Sequence, residues 1–124
     1  MKCLFCETSQ QKQDFIYENE YFYVIYDHFP VSKGHTLIIP KRHIEDYFSL
    51  SFEEAKILHQ TILLMKEFLD REFHPDGYNI GVNNGEAAGQ SIFHLHIHLI
   101  PRYTGDVIHP KGGVRGVIPG KQSY

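Results

Sequence analysis

The sequence predicts an α+β protein, built as an antiparallel five-stranded sheet with one long helix. Three observations lead there. Five short segments rich in aromatic and β-branched residues are set apart by turn residues. One stretch carries apolar residues at helical spacing behind a capping pattern. Strands and helices also fail to alternate regularly, so a parallel β-α-β architecture is not indicated.

Residues 14–17 and 21–26 read as two strands around the polar turn Glu18-Asn19-Glu20. Residues 27–34 contain Pro30 and Gly34 and read as a loop. Residues 35–40 form a third strand, whose Leu37-Ile38-Ile39 run suits burial on both faces. Ser51-Phe52-Glu53-Glu54 is a capping box, in which the serine hydroxyl accepts a helix N–H and Glu54 reaches back. Ala55, Leu58, Ile62, Met65 and Leu69 then share one helical face, and Pro75 and Gly77 set the end near Glu72. Residues 78–83 read as the fourth strand. Residues 84–90 are a turn with Gly85 and Gly89, and residues 93–100 are the fifth strand, stopped by Pro101. The chain divides into a domain over residues 1–104 and a Gly/Pro-rich basic tail over residues 105–124, expected to lack regular structure.

With 124 residues there is material for one core. The longest apolar runs, Leu37-Ile38-Ile39 and Ile62-Leu63-Leu64-Met65, fall far short of the ~20 residues of a membrane helix. No secretory h-region is visible near Met1, so a cytoplasmic protein is expected, without a membrane partner. A net charge of −3 and a pI of 6.3 argue against general nucleic-acid binding. The charge is uneven, because from Pro101 onward Arg102, Lys111, Arg115 and Lys121 face a single acid, Asp106. Such a tail suits either a local anion site or plain solvation.

Nine histidines and two cysteines stand out. Cys3 and Cys6 form one C-x-x-C, a spacing that reads as metal or redox chemistry in a chain without an export signal. In Phe93-His94-Leu95-His96-Ile97-His98-Leu99-Ile100, a strand's period of 2 puts the three imidazoles on one face and Phe93, Leu95, Ile97 and Leu99 on the other. Three imidazoles in a row suit metal binding or chemistry on phosphate. A neutral imidazole is a good nucleophile, the phosphorus–nitrogen bond it forms is labile, and neighbouring N–H groups stabilise phosphate oxygens. The lead-in Asn83-Asn84-Gly85-Glu86-Ala87-Ala88-Gly89-Gln90-Ser91 offers small residues and amide and hydroxyl donors, without the ending of a P-loop.

Gly89-Gln90-Ser91-Ile92 followed by His94, His96 and His98 with apolar residues between them resembles the signature of the histidine triad family. Gly34-His35-Thr36-Leu37-Ile38-Ile39-Pro40-Lys41-Arg42-His43 resembles its second marker, with Asp27 ahead of it. The basic tail is similar to that of bacterial members described as diadenosine polyphosphate hydrolases. The resemblance implies a homodimer whose sheets join. It implies hydrolysis at the α-phosphate of purine (di)nucleoside polyphosphates or nucleotidyl conjugates through a nucleotidyl-histidine. His96 would be the nucleophile, with His98 and His35 holding phosphate oxygens. Asp27 would accept the ribose hydroxyls; Asn83, Gln90 and Ser91 would contact phosphate or leaving group; Phe5, Phe22 and Ile25 would form the base pocket. It also implies one structural zinc per chain on Cys3, Cys6, His43 and His94. The alternatives are an adenosine phosphoramidase, nucleotidyl transfer to another acceptor, a non-catalytic zinc-stabilised nucleotide-binding module, and a metal-handling protein that uses the whole histidine stripe.

Overall fold

The computed structural model describes residues 2–124. Its sheet has five strands, all antiparallel: β1 (Tyr17–Glu18), β2 (Phe22–Tyr26), β3 (Thr36–Pro40), β4 (Gly77–Gly81) and β5 (Ile97–Arg102), in the order β1-β2-β3-β5-β4. Two α-helices accompany it, α1 (Leu4–Gln11) and α2 (Phe52–Phe73). The α+β class and the antiparallel five-stranded sheet are as the sequence predicts. The one long helix is α2, and α1 adds a short helix that the sequence did not indicate. This is a short helix with one buried residue, Phe5, and no side-chain cap, so neither periodicity nor a start signal marks it in the sequence.

The long helix matches its sequence closely. Both halves of the capping box are formed, with Glu54 N donating to Ser51 Oγ at 3.1 Å and Ser51 N donating to Glu54 Oε1 at 2.9 Å. Leu58, Met65 and Leu69 pack onto Phe22, Val24, Ile38, Ile97 and Leu99 from the sheet and onto Leu95 just ahead of β5. The turn at Asn19 is tied to this helix, since Asn19 Oδ1 accepts from the amides of Tyr21 and Phe22 while Asn19 Nδ2 donates to Thr61 Oγ1 at 2.9 Å.

Glu54 does more than cap. It takes two hydrogen bonds from Arg42, at 2.8 and 3.1 Å, and these lead the effects that hold its carboxyl down to about 2. Because the folded value lies below the ordinary 4.5, the carboxylate stabilises the fold above that pH, and the contribution is lost as pH falls through about 2. Glu54→Ala is expected to cost about 2 kcal/mol at neutral pH by urea unfolding and to flatten the acid limb of stability.

The opposite face of the sheet carries Tyr23, Ile25, Leu37 and Ile39, packed with Phe5 of α1. Tyr23 Oη donates to the Phe5 carbonyl at 2.6 Å. The helix is short, and the part of this face it leaves uncovered is a cavity.

Several boundaries differ from expectation: β1 covers Tyr17–Glu18 rather than residues 14–17, and β4 covers Gly77–Gly81 rather than residues 78–83. The fifth strand begins at Ile97, so residues 93–96 do not share its pleat, and Phe93 is 43% exposed rather than in the core. Pro101 continues β5 instead of stopping it. The β3 ladder to β5 ends at Thr36↔Leu99, so Pro101 faces no β3 partner and its missing N–H breaks no ladder bond there. The tail contains a 3-10 turn (Gly113–Val117), and Gln122 Nε2 donates to the carbonyls of His109 and Lys111. Gly112 sits at φ 92°, where a side chain would strike the Gln122 carbonyl.

Candidate functional site

His35 precedes β3 and His98 lies on β5, in register with Leu37. A single donor fixes the protons of this pair. The Val31 amide donates to His35 Nδ1 at 3.1 Å, so the His35 proton resides on Nε2. That proton points at His98 Nδ1, 2.9 Å away, with Asp27 Oδ2 at 3.4 Å from the same nitrogen. His98 Nδ1 is then an acceptor, and its Nε2–H remains as a donor to a ligand. Burial first, then the charges of His96 and His35, push His98 down to about 4, while burial also lowers His35. Both rings are therefore neutral near pH 7 and keep these tautomers.

His96 is fixed the other way round. Its Nδ1 lies 2.9 Å from the His94 carbonyl, which can only accept, so the proton is on Nδ1 and the lone pair is on Nε2. The Phe5 ring packs beside it, with centroids 5.1 Å apart. A cavity of about 350 Å³ brings His96, His98, His35, Asp27, Asn83 and Ser91 together. Asp27 also accepts from the Phe29 amide at 2.8 Å.

Two expected contacts lie elsewhere. Phe22 is fully buried in the α2-facing core, on the side of the sheet away from the cavity, which corrects its assignment to a base pocket; Phe5 and Ile25 do line the cavity. Gln90 is 4% exposed and its amide is engaged internally. It accepts from Gly85 N at 2.8 Å and donates to the carbonyls of Glu45 at 2.7 Å and Ile92 at 3.1 Å. Gln90 thus braces the loop that presents Ser91. Sequence reasoning missed Leu4, Thr8, His28, Phe29, Val31, Leu37, Gly89 and Ile92 in the lining. Leu37 carried a signal, since it alternates with Ile38 on a strand buried on both faces, and Gly89 and Ile92 lie in the stretch leading into the histidine motif.

His94, the first of the three motif histidines, turns away from this cavity. Its Nε2 donates to the Pro40 carbonyl at 2.8 Å, leaving the Nδ1 lone pair directed at the two cysteines and His43. Nδ1 lies 3.3 Å from Cys3 Sγ, 3.5 Å from Cys6 Sγ and 3.1 Å from His43 Nδ1, and Cys6 Sγ lies 3.3 Å from His43 Nδ1. All four ligand atoms fall within 4.8 Å of one another. A tetrahedral zinc with ordinary bond lengths needs edges of about 3.3 Å between nitrogens and about 3.6 Å from nitrogen to sulfur, so the set fits. The thiol chemistry agrees. Burial, followed by the adjacent Cys3, pushes Cys6 up, and a divalent cation is what allows two such thiols to ionise side by side.

The HIT domain family model matches residues 8–105. The chain belongs to the HIT family. It is 42% identical over 103 residues to Protein hit of Bacillus subtilis, covering 82% of this chain and 71% of that one. It is 34% identical over 100 residues to bis(5'-adenosyl)-triphosphatase of Saccharomyces cerevisiae, covering 77% of this chain and 48% of that one. Among solved structures, a zinc-bound histidine triad family protein from Mycobacterium smegmatis superposes with a TM-score of 0.78 at 36% identity, covering 88% of this chain and 81% of that one. As a HIT protein the chain is placed among nucleotide-binding and nucleotide-hydrolysing relatives. Its Cys3, Cys6, His43 and His94 are close enough to hold a metal, and no helix among the described residues is long and apolar enough to cross a membrane.

Proposed function

We propose that this HIT protein hydrolyses purine (di)nucleoside polyphosphates or related nucleotidyl conjugates at the α-phosphate, through a nucleotidyl-histidine at His96. The observation that carries this reading is the pair of opposed tautomers in one cavity, a lone pair on His96 Nε2 and an N–H on His98 Nε2. The lone pair attacks the α-phosphorus, a P–N bond forms, and the bond to the leaving group breaks. Positive charge then develops on the His96 ring. The His94 carbonyl, already accepting from Nδ1, meets that charge without reorganisation. His98 Nε2–H donates to a non-bridging phosphate oxygen, and the His35 Nε2–H donated to His98 Nδ1 holds His98 in that tautomer. A water molecule then attacks the phosphorus, the P–N bond breaks, and nucleoside monophosphate leaves with His96 restored.

Asp27 also stands where a vicinal diol can donate to it, with Phe5 and Ile25 as apolar walls for the base. Asn83 and Ser91 supply the polar wall on the phosphate side.

Cys3, Cys6, His43 and His94 would hold one zinc per chain. Bound there, the metal supplies a closed four-coordinate tie between the N-terminus and the sheet, because its four positions are taken by protein. Two thiol ligands require a reducing compartment, which supports a cytoplasmic location. Homodimerisation is proposed at the β4 edge, where Ile80 is 51% exposed and a second β4 can extend the sheet.

The test is turnover of a dinucleoside tetraphosphate beside an adenosine phosphoramidate, comparing kcat/KM. Release of AMP with the higher kcat/KM on the tetraphosphate is expected. A preference for the phosphoramidate would move the reading to a phosphoramidase, and nucleotide binding without turnover of either would leave only a binding module.

A further inference from the structure

A second cavity, of about 510 Å³, lies on the other side of Leu4, Ser91 and Ile92, which line both it and the histidine cavity. Its remaining wall is Lys2, Cys3, His43, Glu45 and Phe93, so two residues of the Cys3, Cys6, His43 and His94 cluster edge it. Phe93 is the anomaly of the motif. Leu95, Ile97 and Leu99 are each 1% exposed in the core, whereas Phe93 is 43% exposed and packs in neither core cluster. Leu4, beside it, is 55% exposed.

The histidine cavity, of about 350 Å³, has the size of a single-nucleotide site. With the α-phosphate at His96 and the ribose at Asp27, the half of the substrate beyond the scissile bond has to lie outside it. Ser91 stands at that boundary. The wall past Ser91 offers a ring face for stacking, an ammonium for a bridging phosphate and a carboxylate that can accept from the amino edge of a base. We propose that the second cavity is the leaving-group subsite, and that it takes the second nucleoside of a dinucleoside polyphosphate against Phe93. This rests on the nucleotidyl-hydrolase reading above.

The experiment compares the full-length chain with Phe93→Ala and Lys2→Gln on two substrates. Diadenosine tetraphosphate has a base to place in the subsite; adenosine phosphoramidate loses only ammonia. Phe93→Ala is expected to lower kcat/KM for the tetraphosphate about tenfold, mainly through KM, the size of one base–aromatic stack. Its phosphoramidate turnover is expected to stay within about twofold of wild type. Lys2→Gln, a change at the chain terminus that leaves the core alone, is expected to lower tetraphosphate turnover alone, by a factor that shrinks with added salt. Metal content and Tm are measured on both variants, because His94 follows Phe93 directly. Equal losses on both substrates, or no loss on the tetraphosphate, would overturn the proposal. Tetraphosphate turnover with Phe93→Ala unchanged would overturn it while leaving the hydrolase reading in place; wild-type turnover of the phosphoramidate alone, or of neither substrate, would remove both.

Discussion

Replacing His96 by glycine is expected to lower kcat by about 10⁴-fold or more, with KM changed little. The magnitude follows from the division of labour in the cavity. His98 and His35 are neutral donors and acceptors locked to one another, and neither presents a free lone pair to the cavity. Of these three rings His96 alone does. Its removal leaves Asp27, Ile25 and the Cys3, Cys6, His43 and His94 cluster in place, because His96 hydrogen-bonds to that cluster's His94 through the backbone carbonyl. Binding should therefore survive while chemistry stops. Single-turnover assays, with nucleotide affinity measured separately, resolve the two. His98→Asn, which removes one oxyanion donor and keeps the nucleophile, is expected to cost less, about 10²- to 10³-fold.

The second large effect is expected at the metal cluster. Cys3→Ser with Cys6→Ser, or removal of the ion by a chelator, should lower Tm by about 10 °C or more and raise KM more than it lowers kcat. The helix α1 has eight residues and buries only Phe5. Isolated helices of that length are not stable, so its place on the sheet depends on what anchors it. Cys3 and Cys6 bracket Leu4 and Phe5, which wall the histidine cavity, and the Phe5 ring lies against both His96 and His94. Loosening the cluster should free that wall while the nucleophile's own hydrogen bond, made to backbone, persists. Thermal melts paired with metal analysis check the first half, and steady-state kinetics at saturating nucleotide check the second. An unchanged Tm in metal-free protein would remove the cluster's structural role.

The legibility of this molecule in its sequence follows the strength of local signals. The helix α2 announces itself with a capping box and a stripe at steps of three and four, and both are present in the structure. The grouping of His35, His96 and His98 in one cavity is what the family resemblance of two markers, far apart in the chain, implies; the structure brings those markers together on adjacent antiparallel strands. Where the chain is buried on both sides, the pattern gives no direction. Residues Phe22 to Ile25 are all buried, so no polar alternation tells which of them face the cavity, and Phe22 was assigned to the wrong side of the sheet. The amide of Gln90 suits a phosphate or a loop equally well, and three hydrogen bonds to backbone decide for the loop. Phe93 was expected in the core because the period of 2 was carried through the whole histidine motif, but the ladder starts only at Ile97. The helix α1 left almost no trace, because what anchors it are contacts made 37 and 91 residues away rather than its own sequence.

The most direct measurement is the stereochemical course at phosphorus, followed with a substrate chiral at the α-phosphorothioate and hydrolysed in isotopically labelled water. Attack by His96 and then by water inverts the centre twice, so overall retention is the expected result. Inversion would mean that water strikes the phosphate directly, and His96 would then be no nucleophile.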